Sequence, residues 1–370
     1  MKVDFEHLLP RLQSPVLQEP VTPYLVMSEN IPNLSVVIPT FNRKDSLRKT
    51  LDGLARQTYP SAQFEAVVVS DGSTDSTDAL LEEYARTSPY TLQVISQPNG
   101  GPARARNNGI QNARGEVIVF LDDDVEPSPQ FLAVHAAHHH QARAVVIAPM
   151  LPDPALLWRE PAWIAWEHVM LEKQYAAWRS GAWEGCGPNN FYSGNASVRR
   201  SHLLAVGGFD EQFPRQEDVE LAVRLGKQCG VQFVYEPDAP GTHRPQRRFA
   251  SWLAVPFAYG KLDVVRARRG DIPWEVVRSG YHSRSTATRL LARAALAAPP
   301  LGRLLRGLLL PAATAAYRLR RAGPAFGALS VIYNLRYLEG AQAELGSRAA
   351  LRRVLFAAPP APGASSEFVL

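Results

Sequence analysis

Glu116-Val117-Ile118-Val119-Phe120-Leu121-Asp122-Asp123-Asp124-Val125 is the stretch on which the fold turns. A short apolar run rich in β-branched residues reads as a buried strand, so the three aspartates stand where a strand leaves its sheet. In open α/β sheets, ligands bind outside the carboxyl ends of the strands. Three adjacent like charges repel one another there unless a cation or hydrogen-bond donors neutralise them. Carboxylate oxygens are hard ligands that suit Mg2+ or Mn2+ held together with a phosphate-bearing substrate. The same residues also fit an acidic turn capping the next helix. The surrounding chain decides between the two.

On either side, strand-like runs alternate with helical patterns. Residues 34–39, 64–70, 91–96, 117–121 and 144–149 read as strands, and 45–57, 75–86, 102–113 and 128–140 as helices between them. This alternation predicts an α/β fold, a mostly parallel, twisted central sheet flanked by helices on both faces. From 152 to 187 the pattern becomes Trp-rich and broken by Pro and Gly, a helix and then a loop. Trp158, Trp163, Trp166, Trp178 and Trp183 are available there to line a pocket. A strand over 191–198, a helix over 217–228 and a last strand over 231–235 follow. Beyond about residue 250 the chain reads as helical, with breaks at Pro299-Pro300, Pro311 and Gly323-Pro324. The expected organisation is an N-terminal extension (1–30), an α/β domain (31–250, with halves 31–150 and 151–250), a basic C-terminal helical region (251–356) and a disordered Pro/Ala/Gly-rich tail (357–370).

Composition fits a globular protein with a substantial core: of 370 residues, 46% are apolar and 20% charged. Two cysteines, Cys186 and Cys229, imply no disulfide framework and favour a reducing compartment, the cytoplasm. Residues 1–30 show no charged-then-apolar leader pattern, and no apolar run is long enough to span a bilayer. The net charge of +5 is uneven. From Lys261 onward 17 Lys/Arg face 6 Asp/Glu, a surplus of 11, which leaves the first 260 residues at −6. A basic, Leu/Ala-rich tail suggests an anionic surface as partner, membrane lipid at the inner face rather than nucleic acid. A solvated helical cap or a homodimer interface fits the same pattern.

Each early strand ends in a polar cluster: Pro39-Thr40-Phe41-Asn42-Arg43, Ser70-Asp71-Gly72-Ser73-Thr74-Asp75, Asn99-Gly100-Gly101-Pro102-Ala103-Arg104-Ala105-Arg106-Asn107-Asn108, and the aspartates 122–124. In a parallel sheet these ends share one edge and converge on one crevice. Together the four segments, in this order and spacing, resemble the nucleotide-sugar half of family-2 inverting glycosyltransferases with the GT-A Rossmann-like fold, over residues 33–245. The resemblance implies transfer of a sugar from a nucleoside diphosphate donor to an acceptor hydroxyl, with inversion and with a divalent metal.

Residue chemistry and resemblance then assign parts. Asp71, at a strand end before Gly72, can accept a hydrogen bond from a base N–H, and matching aspartates contact uracil, which favours a UDP-sugar. Pro39, Thr40, Asn42 and Arg43 would border the same base and ribose. Gly100-Gly101-Pro102 opens a helix whose free N–H groups favour phosphate, with Asn99 beside them. Arg104 and Asn108, four apart on one helix face, reach the ribose or diphosphate side, whereas Arg106 is expected in solvent. The resemblance puts Asp124 on the metal, Asp122 near ribose or metal, and His243 in the metal or diphosphate site. Asp123 is grouped with the nucleotide-sugar residues, although strand alternation turns it away and gives it a structural part.

The acceptor side is carried by Ser193-Gly194-Asn195-Ala196-Ser197, Gly207-Gly208-Phe209-Asp210-Glu211 and Gln216-Glu217-Asp218-Val219. These resemble the family's acceptor-binding stretch and its Glu-Asp motif, with Gly194, Asn195 and Trp183 as acceptor contacts. Inverting transfer needs a base on the acceptor hydroxyl. Asp218 matches it, with Glu217 as alternate. The Gln-x-x-Arg-Trp motif of processive members is missing around Arg247-Arg248-Phe249 and Trp252, so single-sugar transfer in glycan or polysaccharide synthesis is expected, onto a glycan, a lipid-linked or another hydroxyl acceptor. A catalytically silent nucleotide-sugar-binding scaffold of an envelope glycan complex is the second reading. A nucleotidyltransferase ranks below both, since the first strand lacks a Gly-rich, basic segment after it. His135, His138, His139 and His140 mimic a metal cluster, but without an acidic or cysteine partner nearby they are assigned to surface or packing.

Overall fold

The computed structural model describes residues 33–183, 185–213 and 215–356; the expected N-terminal extension (1–30) and tail (357–370) lie outside them. Its strands are β1 (Leu34–Thr40), β2 (Phe64–Asp71), β3 (Thr91–Gln97), β4 (Val117–Leu121), β5 (Val125–Pro127), β6 (Ala144–Ile147), β7 (Met150–Pro152), β8 (Asn195–Arg199), β9 (Gln232–Tyr235) and β10 (Gly241–His243). Seven of them form one sheet in the order β3-β2-β1-β4-β8-β6-β9. All its pairings are parallel except those of β8, which runs antiparallel to both β4 and β6.

Side-chain alternation explains why the sheet is covered on both faces. Val36 and Ile38 of β1 pack on one side with Leu47, Leu51 and Leu54 of the helix Lys44–Ala55, whereas Val37 packs on the other with Ala105 and Ile110 of the helix Pro102–Asn112. Both β2 and β4 are buried along their whole length, as central strands of a parallel sheet must be, while the edge strand β3 is half-exposed. Gly109 lets its helix settle onto β1, since a Cβ there would lie 2.4 Å from Val37 Cγ1.

A second, three-stranded sheet, β5-β10-β7, has no counterpart in the sequence reading. Its strands are three residues long, too short for a periodic signal. It matters for the site because its register pairs His243 with Val125, and so brings His243 next to Asp124.

Contacts divide the chain into two compact units: residues 33–157 with 167–246, and 158–166 with 247–356. The second unit is helical and centred on the helices Phe249–Arg268 and Ala322–Leu345, whose backbones touch. A Cβ at Gly260 would sit 2.0 Å from Tyr337 O, and one at Gly340 would sit 1.9 Å from Phe257 O. Four of the five tryptophans available to line a pocket serve packing instead. Trp158 stacks on Tyr317, Trp163 meets Phe249, and Trp166 packs on Trp252 and Tyr333, all in the helical unit. In the sheet unit Trp178 packs on Tyr175 and Tyr235. A large ring gains most when removed from water, and only Trp183 of the five is exposed.

Glycines in the helical unit should therefore respond in opposite directions to substitution. Gly340→Leu is expected to cost about 3 kcal/mol or more in thermal unfolding, because backbone cannot yield to an added side chain. Gly307→Ala, mid-helix with nothing near its missing Cβ, is expected to raise stability by about 0.5–1 kcal/mol. Equal behaviour of the two would contradict the close helix contact.

Candidate active site

Strand order reverses at β1, with β2 and β3 on one side and β4 on the other, which opens a crevice at the carboxyl ends. Thr40 spans it, donating Oγ1 to Asp123 Oδ2 at 2.7 Å; Pro39, half-exposed, sits one residue earlier in register with Val69. Asn42 adopts the left-handed region (φ 53°). Its Oδ1 accepts from the N–H groups of Thr74 (2.7 Å) and Asp75 (3.2 Å), and its own N–H donates to Ser73 Oγ. The loops after β1 and β2 are thereby fastened together.

Asp71, buried at the end of β2, accepts hydrogen bonds from Gln97 Nε2 at 2.7 Å and from the N–H groups of Gly100 and Gly101, each at 2.8 Å. Asn99 Nδ2 donates to the Asp71 main-chain oxygen at 2.9 Å. This corrects one expectation: the Gly100 and Gly101 N–H groups are not free for phosphate. A buried carboxylate must be satisfied internally, and these two donors satisfy it. Gly72 (φ +76°) permits the approach, since a Cβ there would lie 2.7 Å from Asn99 N. Arg104 is exposed with its stem beside Gly100, and Asn108 donates to Gln97 Oε1 at 2.8 Å.

The three aspartates divide. Asp123 is buried; besides Thr40 it meets Arg43 Nη1 at 3.5 Å, and its main-chain oxygen accepts from Thr50 Oγ1 at 3.1 Å. Burial pushes its carboxyl up to about 7, against the opposing pull of Arg43 and with help from Asp124. Asp124 accepts a hydrogen bond from Arg43 Nη1 on one oxygen, while the other lies 3.5 Å from His243 Nε2. Asp122 accepts from Arg106 Nη2 at 2.7 Å. Gly194 makes room for it, as a Cβ at that position would lie 2.7 Å from Asp122 Oδ2.

Two further expectations change here. Arg106 is buried, not solvated, and its guanidinium joins Asp122 to Glu217 Oε1 at 3.4 Å while lying 5.7 Å from the centre of the Phe209 ring. Asp122, Asp124 and His243 do not gather as one ligand set, and among the described residues no cluster of three acidic, His or Cys groups does. Asp122 is turned to Arg106. Asp124 and His243 remain side by side, and a carboxylate with an imidazole would suit a transition-metal cation such as Mn2+ better than Mg2+, with its other ligands taken from water and substrate phosphate.

Gln216, in the left-handed region (φ 58°), starts the helix Glu217–Arg224 and puts Glu217 and Asp218 in its first turn, where the helix dipole favours negative charge. Asp218 Oδ1 accepts from the Val219 N–H at 2.9 Å. Burial and the Glu217 charge push the Asp218 carboxyl up to about 7 against the pull of Arg106. Asn107 secures the neighbouring turn, pairing with both the N–H (2.8 Å) and the oxygen (2.9 Å) of Phe209. Arg106, Asn107, Thr50 and Gln97 were all missed in the sequence. For Arg106 a signal existed: Ala103, Arg106 and Ile110 share the buried face of one helix at helical spacing.

On the proposed acceptor side, Asn195 is corrected to a structural residue. It is wholly buried, donates to Pro149 O and Ala239 O at 3.0 Å each, and pairs with His135 Nε2 at 3.0 Å. Trp183 is exposed on the loop after the helix Ala162–Arg179. His135 and His139 both meet Ser197 Oγ, at 2.9 and 2.7 Å, and burial pulls their pKa values down to about 4 and 3, so they pack as neutral rings. His138 instead meets Glu236.

A parallel sheet with one antiparallel insertion, a crevice edged by strand-end carboxylates, and a later helix bringing a second acidic pair define the GT-A fold. Residues 35–197 match the family described as glycosyl transferase family 2, and that part of the chain belongs to it. Validoxylamine A glucosyltransferase of Streptomyces hygroscopicus subsp. limoneus is 31% identical over 262 residues, covering 62% of this chain and 55% of that protein. Glycosyltransferase AglE of Haloferax volcanii is 33% identical over 106 residues, 29% of this chain and 35% of that one. The chain spans about half the length of the Streptomyces relative. Among solved structures, the mannosyltransferase PcManGT of Pyrobaculum calidifontis, in complex with GDP-Man and Mn2+, matches with a TM-score of 0.54 and 22% identity over 83% of this chain and 88% of that one. At that identity it speaks for the fold alone.

Asn195→Ala should be costly although the side chain is remote from solvent. Removing it strands the Ala239 carbonyl and the His135 Nε2 in the interior and leaves Pro149 O with the Gly241 N–H alone, an expected loss of about 2 kcal/mol or more in urea unfolding. A loss below about 0.5 kcal/mol would return Asn195 to the class of ordinary surface positions.

Proposed function

We propose that this chain is a metal-dependent, inverting glycosyltransferase that moves one sugar from a nucleoside-diphosphate sugar, with uridine favoured, onto an acceptor hydroxyl in glycan or polysaccharide synthesis. The observation that carries this reading is the Arg106 bridge, in which one buried guanidinium holds Asp122 at the crevice and Glu217, beside Asp218, at a fixed separation. Family membership of residues 35–197 and relatives named as glucosyl- and N-acetylglucosaminyltransferases support it.

Asp71, with its glycine loop, and Asn42 shape the nucleoside end. Asp124 and His243 would hold Mg2+ or Mn2+ with the donor diphosphate, and such a cation neutralises charge on the departing diphosphate. Arg43 balances the remaining negative charge of Asp123 and Asp124. Asp218 takes the proton of the acceptor hydroxyl as its oxygen bonds to the anomeric carbon, and the bond to the diphosphate oxygen breaks with its electron pair on that oxygen. Gly194 and the exposed Trp183 border the acceptor side.

With nucleotide-sugar donors and Mn2+, Asp218→Asn and Asp124→Asn should each lower kcat by about a hundredfold or more while circular dichroism shows the fold retained, and the product of the wild-type chain should carry inverted anomeric configuration by NMR. Turnover near wild type in either variant would overturn the assignment. The base works only when deprotonated, so activity should rise with pH through about 7. Glu217→Gln removes a like charge that holds the Asp218 carboxyl up, and should move that acidic limb to lower pH. An unmoved limb would assign it to another group.

A further inference from the structure

In the helical unit, the helix Pro299–Arg318 is apolar on the wrong side. Its inward residues behave as expected: Ala313 and Tyr317 are buried, and Leu305 and Leu309 pack on the core of that unit. Its outward face carries Leu304, Leu308, Pro311, Ala312 and Ala315, and ends at Leu319. The four most exposed large apolar side chains among the described residues are Leu290 (61%), Leu304 (58%), Leu308 (61%) and Leu319 (73%). All four belong to this helix, its end, or the preceding helix Thr286–Ala297. A surface helix of a globular protein places polar residues there, and one apolar all round is normally covered.

Charge tells what covers it. Between Glu275 and Glu339 the chain holds ten arginines and not one Asp, Glu or Lys. Arg293, Arg303, Arg318, Arg320 and Arg321 are exposed around the leucines. A second copy would set this basic rim against itself, which like charges oppose. An anionic bilayer meets both features, with acyl boundary for the leucines and lipid phosphates for the guanidinium groups. No described helix is long and apolar enough to cross a membrane, so the geometry is that of a helix lying in the interface.

We propose that the outer face of the helices Thr286–Ala297 and Pro299–Arg318 docks on an anionic lipid surface. This goes beyond the transferase reading and does not depend on it. The test is co-sedimentation of the full chain with phosphatidylcholine vesicles and with vesicles of equal parts phosphatidylcholine and phosphatidylglycerol. The full chain should bind the anionic vesicles, more weakly at high salt, and should not bind the neutral ones. Leu304→Asp/Leu308→Asp and Arg303→Glu/Arg318→Glu, all at exposed positions, should keep the wild-type melting temperature and lower the bound fraction about tenfold or more. Failure of the full chain to bind, or wild-type binding by both variants, would overturn the proposal. So would a lipid-free dimer that the leucine variant dissolves. Should a variant melt early, the salt and lipid dependence of the wild-type chain decides: binding indifferent to both also overturns it.

Discussion

Crowded carboxylates at the carboxyl edge of β1, β2 and β4 are the constraint on which the rest of the molecule depends. Asp71, Asp122, Asp123 and Asp124 lie at strand ends of this edge, three of them buried, and a buried charge without partners costs far more than packing can recover. Each is answered differently. Asp71 takes two glycine N–H groups, Asp123 takes Thr40, Asp124 takes Arg43, and Asp122 takes Arg106. The loops, the left-handed Asn42 and the helix Pro102–Asn112 are arranged so that these donors arrive.

That arrangement sets what the edge can do. Asp123, tied by its side chain to Thr40 and by its main chain to Thr50, holds the strand end in place. Asp124 keeps one oxygen toward His243, at 3.5 Å from Nε2, and the other toward Arg43. Arg106 links the crevice to the helix that begins at Glu217, so the separation between Asp122 and Glu217 is set by a buried ion pair rather than by loop position. Burial, helped by the neighbouring Glu217 charge, raises Asp218 into the range where it can exchange a proton near neutrality.

The parallel half of the fold was legible in the sequence because its signals are local. Runs such as Val117–Leu121 are continuous and apolar, helices such as Lys44–Ala55 carry Leu47, Leu51 and Leu54 at helical spacing, and polar clusters mark the strand ends. What escaped depends on long-range placement. The antiparallel seat of β8 between β4 and β6, and the three-residue strands that bring His243 to Asp124, leave no periodic trace. Arg106 was misread because charge was given more weight than its position on a buried helix face. Asn195 was misread because a motif neighbour of Gly194 need not share its role; the side chain points into the interior. The glycine N–H groups could not be apportioned between Asp71 and a phosphate without the turn's geometry.

Calorimetric titration of uridine diphosphate into the full chain, with and without Mn2+, tests most directly whether this edge is a nucleotide-diphosphate site. One-to-one binding that needs the metal is the predicted result. No binding of uridine or guanosine diphosphate with either Mn2+ or Mg2+ would contradict it.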